Sequence, residues 1–242
     1  MSEARKTAIV TGASQGIGAG IVRAFLERGF NVVANSRKVT QSAEVAASER
    51  VALVDGHIGE PATAVRVVET ALARFKSIDA LVNNAGIFLP RPFTDYTGDD
   101  FKSLVSTNIE GFLYVTQLAI KQMLAQKSGG SIVTITAALV RNPIRGITAA
   151  LSMLTKGGLD TINQHLAMEY AKDAIRVNAV APGVVETPMH RDTPREVMQS
   201  LSPMGRPSTV KDVVDAVMYL TSAATVTGQI LYVDGGAHFG RW

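Results

Sequence analysis

The 242-residue sequence contains no cysteine. Disulfides, thiolate zinc sites and cysteine nucleophiles are thereby excluded. It also lacks a strong charge of either sign: 24 Lys and Arg against 21 Asp and Glu leave a net charge of +3. No five like charges occur in a row, so there is no basic stripe for a nucleic acid. No apolar run reaches the ~18 residues that a spanning helix needs. The opening residues, Met1-Ser2-Glu3-Ala4-Arg5-Lys6, are polar and carry no signal-peptide core. The expectation is a cytoplasmic protein with no membrane and no nucleic-acid partner.

What remains is the composition of a well-cored chain, 46% hydrophobic and 19% charged. A chain this long buries roughly 70–75% of the surface its unfolded form exposes. Short apolar runs alternate with longer helical periods. The strand candidates are Thr7–Val10, Asn31–Ala34, Val51–Val54, Ala80–Asn83, Ser131–Thr136, Arg176–Val180 and Ile230–Val233. Most are continuously apolar, as strands buried on both faces are. Ile17, Ile21, Val22, Phe25 and Leu26 make one helical stripe, closed by Gly29, and Pro61 opens another. Longer helices are expected over Phe101–Gln126 and Ala149–Lys172. The pattern predicts an α/β fold, a single doubly wound parallel sheet of seven strands spanning residues 1–242. The stretch Val185–Ser208, with four prolines, reads as a mobile excursion at the ligand-binding edge of the sheet.

Thr11-Gly12-Ala13-Ser14-Gln15-Gly16-Ile17-Gly18 follows the first strand and opens the first helix. Glycines let a backbone approach a pyrophosphate, and the helix start offers free N–H groups. The same residues spell Gly12-x-Ser14-x-Gly16, a nucleophile elbow, with His238 downstream as a base. That rival fails because no earlier loop exists to complete an oxyanion hole.

A second motif, Asn83-Asn84-Ala85-Gly86, follows the fourth strand. With it come Asn108 in Ser106-Thr107-Asn108, Lys156 in Thr155-Lys156-Gly157-Gly158, Arg176-Val177-Asn178, Pro182-Gly183 with Thr187-Pro188, and Val233-Asp234-Gly235-Gly236. In this order the motifs make the chain resemble a short-chain dehydrogenase/reductase, close in layout to bacterial 3-oxoacyl-carrier-protein reductases. The resemblance implies a Rossmann-type sheet ordered 3-2-1-4-5-6-7, a nicotinamide dinucleotide, and a homotetramer or homodimer. It places the cofactor against Gly12, Ser14, Gln15, Gly16, Ile17 and Gly18, then Ser36 and Arg37, and His57 and Ile58. Asn84, Ala85, Gly86, Lys156, Pro182, Gly183, Val185 and Thr187 complete the set. Ser36 stands where NAD-preferring relatives carry Asp. A hydroxyl followed by a guanidinium suits a 2′-phosphate, so NADP(H) is the expected cofactor. His57 replaces the Asp that usually meets the adenine, leaving Ile58 to offer backbone and an apolar wall.

The family's chemistry uses Tyr, Lys, Ser and Asn. Four residues before Lys156 stands Ser152, not Tyr, and the family's Ser falls on Ala137. Lys156 and Asn108 survive; a serine hydroxyl is far less acidic than a phenol and a ring shorter. Tyr114 precedes Lys121 by seven residues but lies on the wrong helix. Thr148, Ser152 and Lys156 form a stripe at four-residue steps, Thr136 adjoins the vacant Ser position, and His190 lies in the excursion. His165 and Glu169 lack a third ligand, so no metal site is expected. Two functions compete: an NADPH-dependent oxidoreductase with a rearranged proton donor, suited to an imine-type acceptor, and a catalytically weak NADP-binding sensor or assembly partner. Phe88, Leu89, Leu139, Val140, Ile144 and Met189 are expected to line an apolar substrate pocket, with Arg141 and Arg145 free for an anionic tail.

Overall fold

The computed structural model describes residues 5–240. Seven strands form one parallel sheet: β1 (Thr7–Thr11), β2 (Asn31–Ser36), β3 (Val51–Asp55), β4 (Ala80–Asn83), β5 (Gly130–Ile135), β6 (Ile175–Pro182) and β7 (Ile230–Val233). Their order is β3-β2-β1-β4-β5-β6-β7, as the resemblance implies. β1 lies inside the sheet, with Val10 beside Ala34 on one flank and Val82 on the other. Every residue of β1 is buried, which is why its sequence is apolar without alternation.

Helices cover both faces. One core packs Phe25, Ile21 and Val22 of α1 (Gly16–Glu27) with Val213 and Val217 of α7 (Val210–Ser222). The other packs Val67 and Ala71 of α2 (Pro61–Phe75) with Val115 and Met123 of α4 (Gly111–Gln126) and Ala167 of α5 (Ala150–Glu169). Pro61 opens α2 at its first turn, where a missing N–H costs nothing. Gly29 follows α1 in the left-handed region.

Several strands run a residue or two beyond the expected bounds, and the two long helices differ more. The helix expected over Phe101–Gln126 begins earlier and is interrupted. α3 (Gly98–Leu104) starts with a capping box between Thr97 and Asp100, and Val105–Glu110 form a π-helical segment before α4. The helix expected to end at Lys172 stops at Glu169, where a short 3₁₀ turn over Ala171–Asp173 leads into β6. The excursion Val185–Ser208 contains a 3₁₀ turn (Pro188–His190) and α6 (Arg195–Ser200). Its two ends are bonded together, Glu186 N–H donating to Ser208 O and Ser208 N–H to Val184 O, each at 3.0 Å.

Candidate active site

A cleft of about 340 Å³ opens across the carboxyl ends of the central strands. The turn between β1 and α1 forms one end. Gly12 takes φ +64°, and a Cβ there would lie 2.8 Å from Ala85 Cα; one on Gly18 would lie 2.2 Å from Gly12 O. Those contacts require glycine. Asn84 fastens this turn to β4: its Nδ2 donates to Thr11 O and Gly12 O, both at 3.0 Å. Thr11 Oγ1 in turn accepts from the N–H groups of Asn84 and Ala85. The Asn83-Asn84-Ala85-Gly86 motif is thus the back wall of the glycine cradle. A dinucleotide fits such a cradle, because the glycines leave open the space that side chains would fill.

Lys156 forms the floor. Its Nζ donates to Ile135 O at 3.3 Å and to Thr136 O at 3.2 Å at the end of β5. Burial pushes its pKa down to about 8, against the opposing pull of Asp160. Asp160, one helical turn on, is 8% exposed with an unpartnered Oδ1. Burial raises its pKa, with the Thr136 hydroxyl and Lys156 acting the other way. A Cβ on Gly86 would lie 3.6 Å from Lys156 Nζ and 3.4 Å from Asn108 Oδ1, so Gly86 keeps the space above the ammonium clear.

Asn108 sits in the π segment and is buried. Its Nδ2 donates to Ile87 O at 3.1 Å and Thr155 Oγ1 at 2.9 Å, and its Oδ1 accepts from Ile87 N–H at 2.9 Å. It therefore positions the loop after β4 against the turn of α5 that carries Lys156. The π geometry turns this side chain inward at a functional site, a recurring use of such bulges.

The two positions that the resemblance reads as vacated differ in surroundings. Ala137 lines the cleft. Ser152 is fully buried and does not; its Oγ accepts from Leu89 N–H at 3.0 Å and donates to Leu89 O at 3.4 Å. The hydroxyl fixes the loop after β4. Thr136 is 3% exposed, although its residue borders the cleft.

Of the sequence-named cofactor residues, Gly12, Gln15, Gly16, Ile17, Gly18, Asn84, Ala85, Gly86, Pro182, Gly183, Val185 and Thr187 line the cleft. Ser14, Ser36, Arg37, His57 and Ile58 lie outside its walls. Ser36 ends β2 and the exposed Arg37 follows it, after Asn35, whose Nδ2 bonds Val54 O and Gly56 O. His57 Nδ1 accepts from Gly59 N–H at 3.1 Å, which leaves Nε2–H to meet Thr107 Oγ1 at 3.2 Å. Both ring nitrogens are engaged within the protein. Ile58 is buried in the α2–α4 core.

Phe88, Leu139, Ile144 and Met189 line the cleft as expected, whereas Leu89 and Val140 do not. His190 lines it too, and burial lowers its pKa. Sequence reasoning missed Ile147, Met153, Leu201 and Ala237 of the wall, and Asp160 beneath it. Only Asp160 left a readable sign, its four-residue step from Lys156. His238, the base of the rejected hydrolase reading, bonds Asp234 Oδ2 through Nδ1 at 2.8 Å and stacks on Tyr232.

Comparison with known proteins agrees with this geometry. A family model described as enoyl-(acyl carrier protein) reductase matches residues 12–238. An L-rhamnose 1-dehydrogenase (NAD(P)(+)) of Sphingomonas sp. (strain SKA58) is 34% identical over 246 residues, covering 96% of each chain. A 3-ketoacyl-(acyl-carrier-protein) reductase from Brucella melitensis, solved with NADH, has a TM-score of 0.88 at 30% identity, covering 96% of this chain and 98% of its own. A gluconate 5-dehydrogenase from Burkholderia cenocepacia J2315, solved with NADP and tartrate, has a TM-score of 0.87 at 29% identity, covering 96% and 94%. Sheet order, glycine cradle and the lysine at the cleft floor, taken with these matches, establish that the chain belongs to the short-chain dehydrogenase/reductase family of NAD(P)-dependent oxidoreductases.

Proposed function

We propose that this protein is an NADP(H)-preferring oxidoreductase acting on a small apolar carbonyl, imine or related acceptor, with Lys156 as its acid–base group. The observation that carries the proposal is the lysine itself. It is the ionisable group at the cleft floor, with a pKa of about 8, beside Ala137, which offers no hydroxyl. A general acid works best when its pKa lies near the working pH.

The nicotinamide, when bound, supplies or accepts the hydride. In reduction the Lys156 ammonium donates a hydrogen bond, and then a proton, to the oxygen or nitrogen of the acceptor. The carbonyls of Ile135 and Thr136 hold Nζ in place. Asp160 keeps positive charge on the lysine by Coulomb attraction. Asn108 fixes the Ile87 backbone and so the clearance over the ammonium. An iminium already carries charge and needs no proton at the acceptor atom, which suits a site without a phenol.

NADP preference is supported by Ser36 and the exposed guanidinium of Arg37 at the end of β2. The apolar wall of Phe88, Leu139, Ile144, Met153 and Met189 supports an apolar substrate. Among the described residues no helix is long and apolar enough to cross a membrane.

The test has two stages. Dissociation constants are measured for both cofactors, with NADPH expected to bind the tighter. NADPH oxidation is then followed against ketones, quinones, enones and imines. Tighter NADH binding refutes the preference. No turnover across the panel refutes the catalytic assignment and leaves a nucleotide-binding protein.

A further inference from the structure

The segment joining β2 to β3 brings an acid to the glycine turn that no motif marks. Ser42 Oγ donates to Ser14 O at 2.6 Å and accepts from the N–H groups of Glu44 and Val45, both at 3.1 Å. Val45 is buried at 5% exposure in the core beside α1. Glu44 is clamped between these two anchors. Its Oε1 accepts from Gly16 N–H at 3.3 Å, and its Oε2 pairs with Arg23 at 3.4 Å. A fixed carboxylate thus lies on the stretch Ser14–Gly16. The same turn is tied to the end of β2, where Ala13 N–H donates to Asn35 O at 2.9 Å, one residue before Ser36.

We infer that Glu44 is a cofactor-selecting residue, whose carboxylate on the glycine turn opposes the 2′-phosphate that Ser36 and Arg37 favour and so limits the preference for NADP over NAD. The inference rests on the cofactor placement proposed above. An acid near the adenosine ribose accepts hydroxyl hydrogen bonds and repels a 2′-phosphate. β2 ends without that acid. Glu44 supplies it through space, from a different segment. The pair with Arg23 is exposed on both sides, 51% and 38%, so counter-charge and solvent moderate its effect. Removing one partly screened charge from the glycine turn is expected to change NADPH affinity by about 3- to 10-fold.

The experiment measures dissociation constants of NADPH and NADH for the wild type, Glu44→Gln and Arg23→Gln, by calorimetry at low and high salt. E44Q is expected to bind NADPH about 3- to 10-fold more tightly, with NADH changed by less than about 2-fold. R23Q strips Glu44 of its counter-charge and is expected to move the ratio the opposite way. Both effects should shrink at high salt. A ratio unchanged in both variants, or E44Q weakening NADPH more than NADH, overturns the inference while the cofactor site stands. Wild-type protein that takes up neither dinucleotide overturns the cofactor placement itself, and this inference with it.

Discussion

Lys156 combines two burdens that a pH series can separate. Its folded pKa of about 8 lies below the ordinary lysine value of about 10.4. Between those values the unfolded chain binds the proton that the folded chain has released. Stability contributed by this group therefore rises with pH across about 8 to 10.4, and below about 8 the fold carries the full cost of the buried charge, roughly 3 kcal/mol. Lys156→Met keeps the stem and removes the charge. Its melting temperature at pH 7 is expected to exceed that of the wild type, with the difference closing toward pH 10. Equal pH slopes for the two proteins would contradict the depressed pKa. For activity the sign is reversed: as the proton donor in reduction, Lys156 is competent below about pH 8, and the rate is expected to fall about tenfold per unit above it. A flat alkaline limb would remove Lys156 from the acid role.

Ser152 and Ala137 make a complementary case. Both positions were assigned through the resemblance, with Lys156 fixing the register. What Ser152 does was not legible, since its two bonds to Leu89 join residues 63 apart in sequence. Installing Ser152→Tyr with Ala137→Ser is expected to cost about 1–2 kcal/mol through loss of those bonds. It is also expected to raise ordinary ketone reduction, by up to about 10²-fold where the ring reaches the cleft. No gain in turnover, in a variant that still binds cofactor, would show that these are not the vacated positions.

The strands were readable because most carry apolar runs without alternation, as strands covered on both faces do. The interruption between α3 and α4 was not. A π segment keeps helical composition and merely rotates the face of the helix beyond it, so the apolar period runs on unbroken to the eye. The capping box at Thr97 and Asp100 was a usable sign of the true start. Glu44 and His57 depend on contacts across 28 and 50 residues, which no local pattern encodes. Two substitutions probe these elements. Gly12→Ala forces a Cβ to 2.8 Å from Ala85 Cα at φ +64°; it is expected to cost about 1–3 kcal/mol and weaken cofactor binding more than tenfold. Asn108→Ala removes three hydrogen bonds from the π segment. It is expected to lower stability by about 2–3 kcal/mol and to reduce kcat more than cofactor affinity, since the residue acts on the loop above Lys156. An unchanged kcat would make Asn108 purely structural.

The outward face of α5 is unlike that of a helix made for water. Ala150, Leu154, Gly158, Thr161, His165 and Met168 lie along it at steps of three and four residues, with exposed Gln164 beside them and the one exposed acid, Glu169, at its end. Leu154 and Met168 are 60% and 81% exposed. At one edge of the sheet, strand β7 is only half-buried along its whole length, and Phe239 beyond it is 84% exposed. Two such surfaces, if each met its own copy, would generate the homotetramer that the resemblance implies, and either alone would give a dimer. Light scattering is therefore expected to give four times the 25.7 kDa chain mass. Leu154→Glu with Met168→Glu places like charges across the α5 contact and is expected to halve that mass while leaving the fold intact by circular dichroism. Phe239→Asp added to that variant is expected to yield monomers. A wild-type protein that stays monomeric at tens of micromolar would mean that these faces meet something other than a second copy.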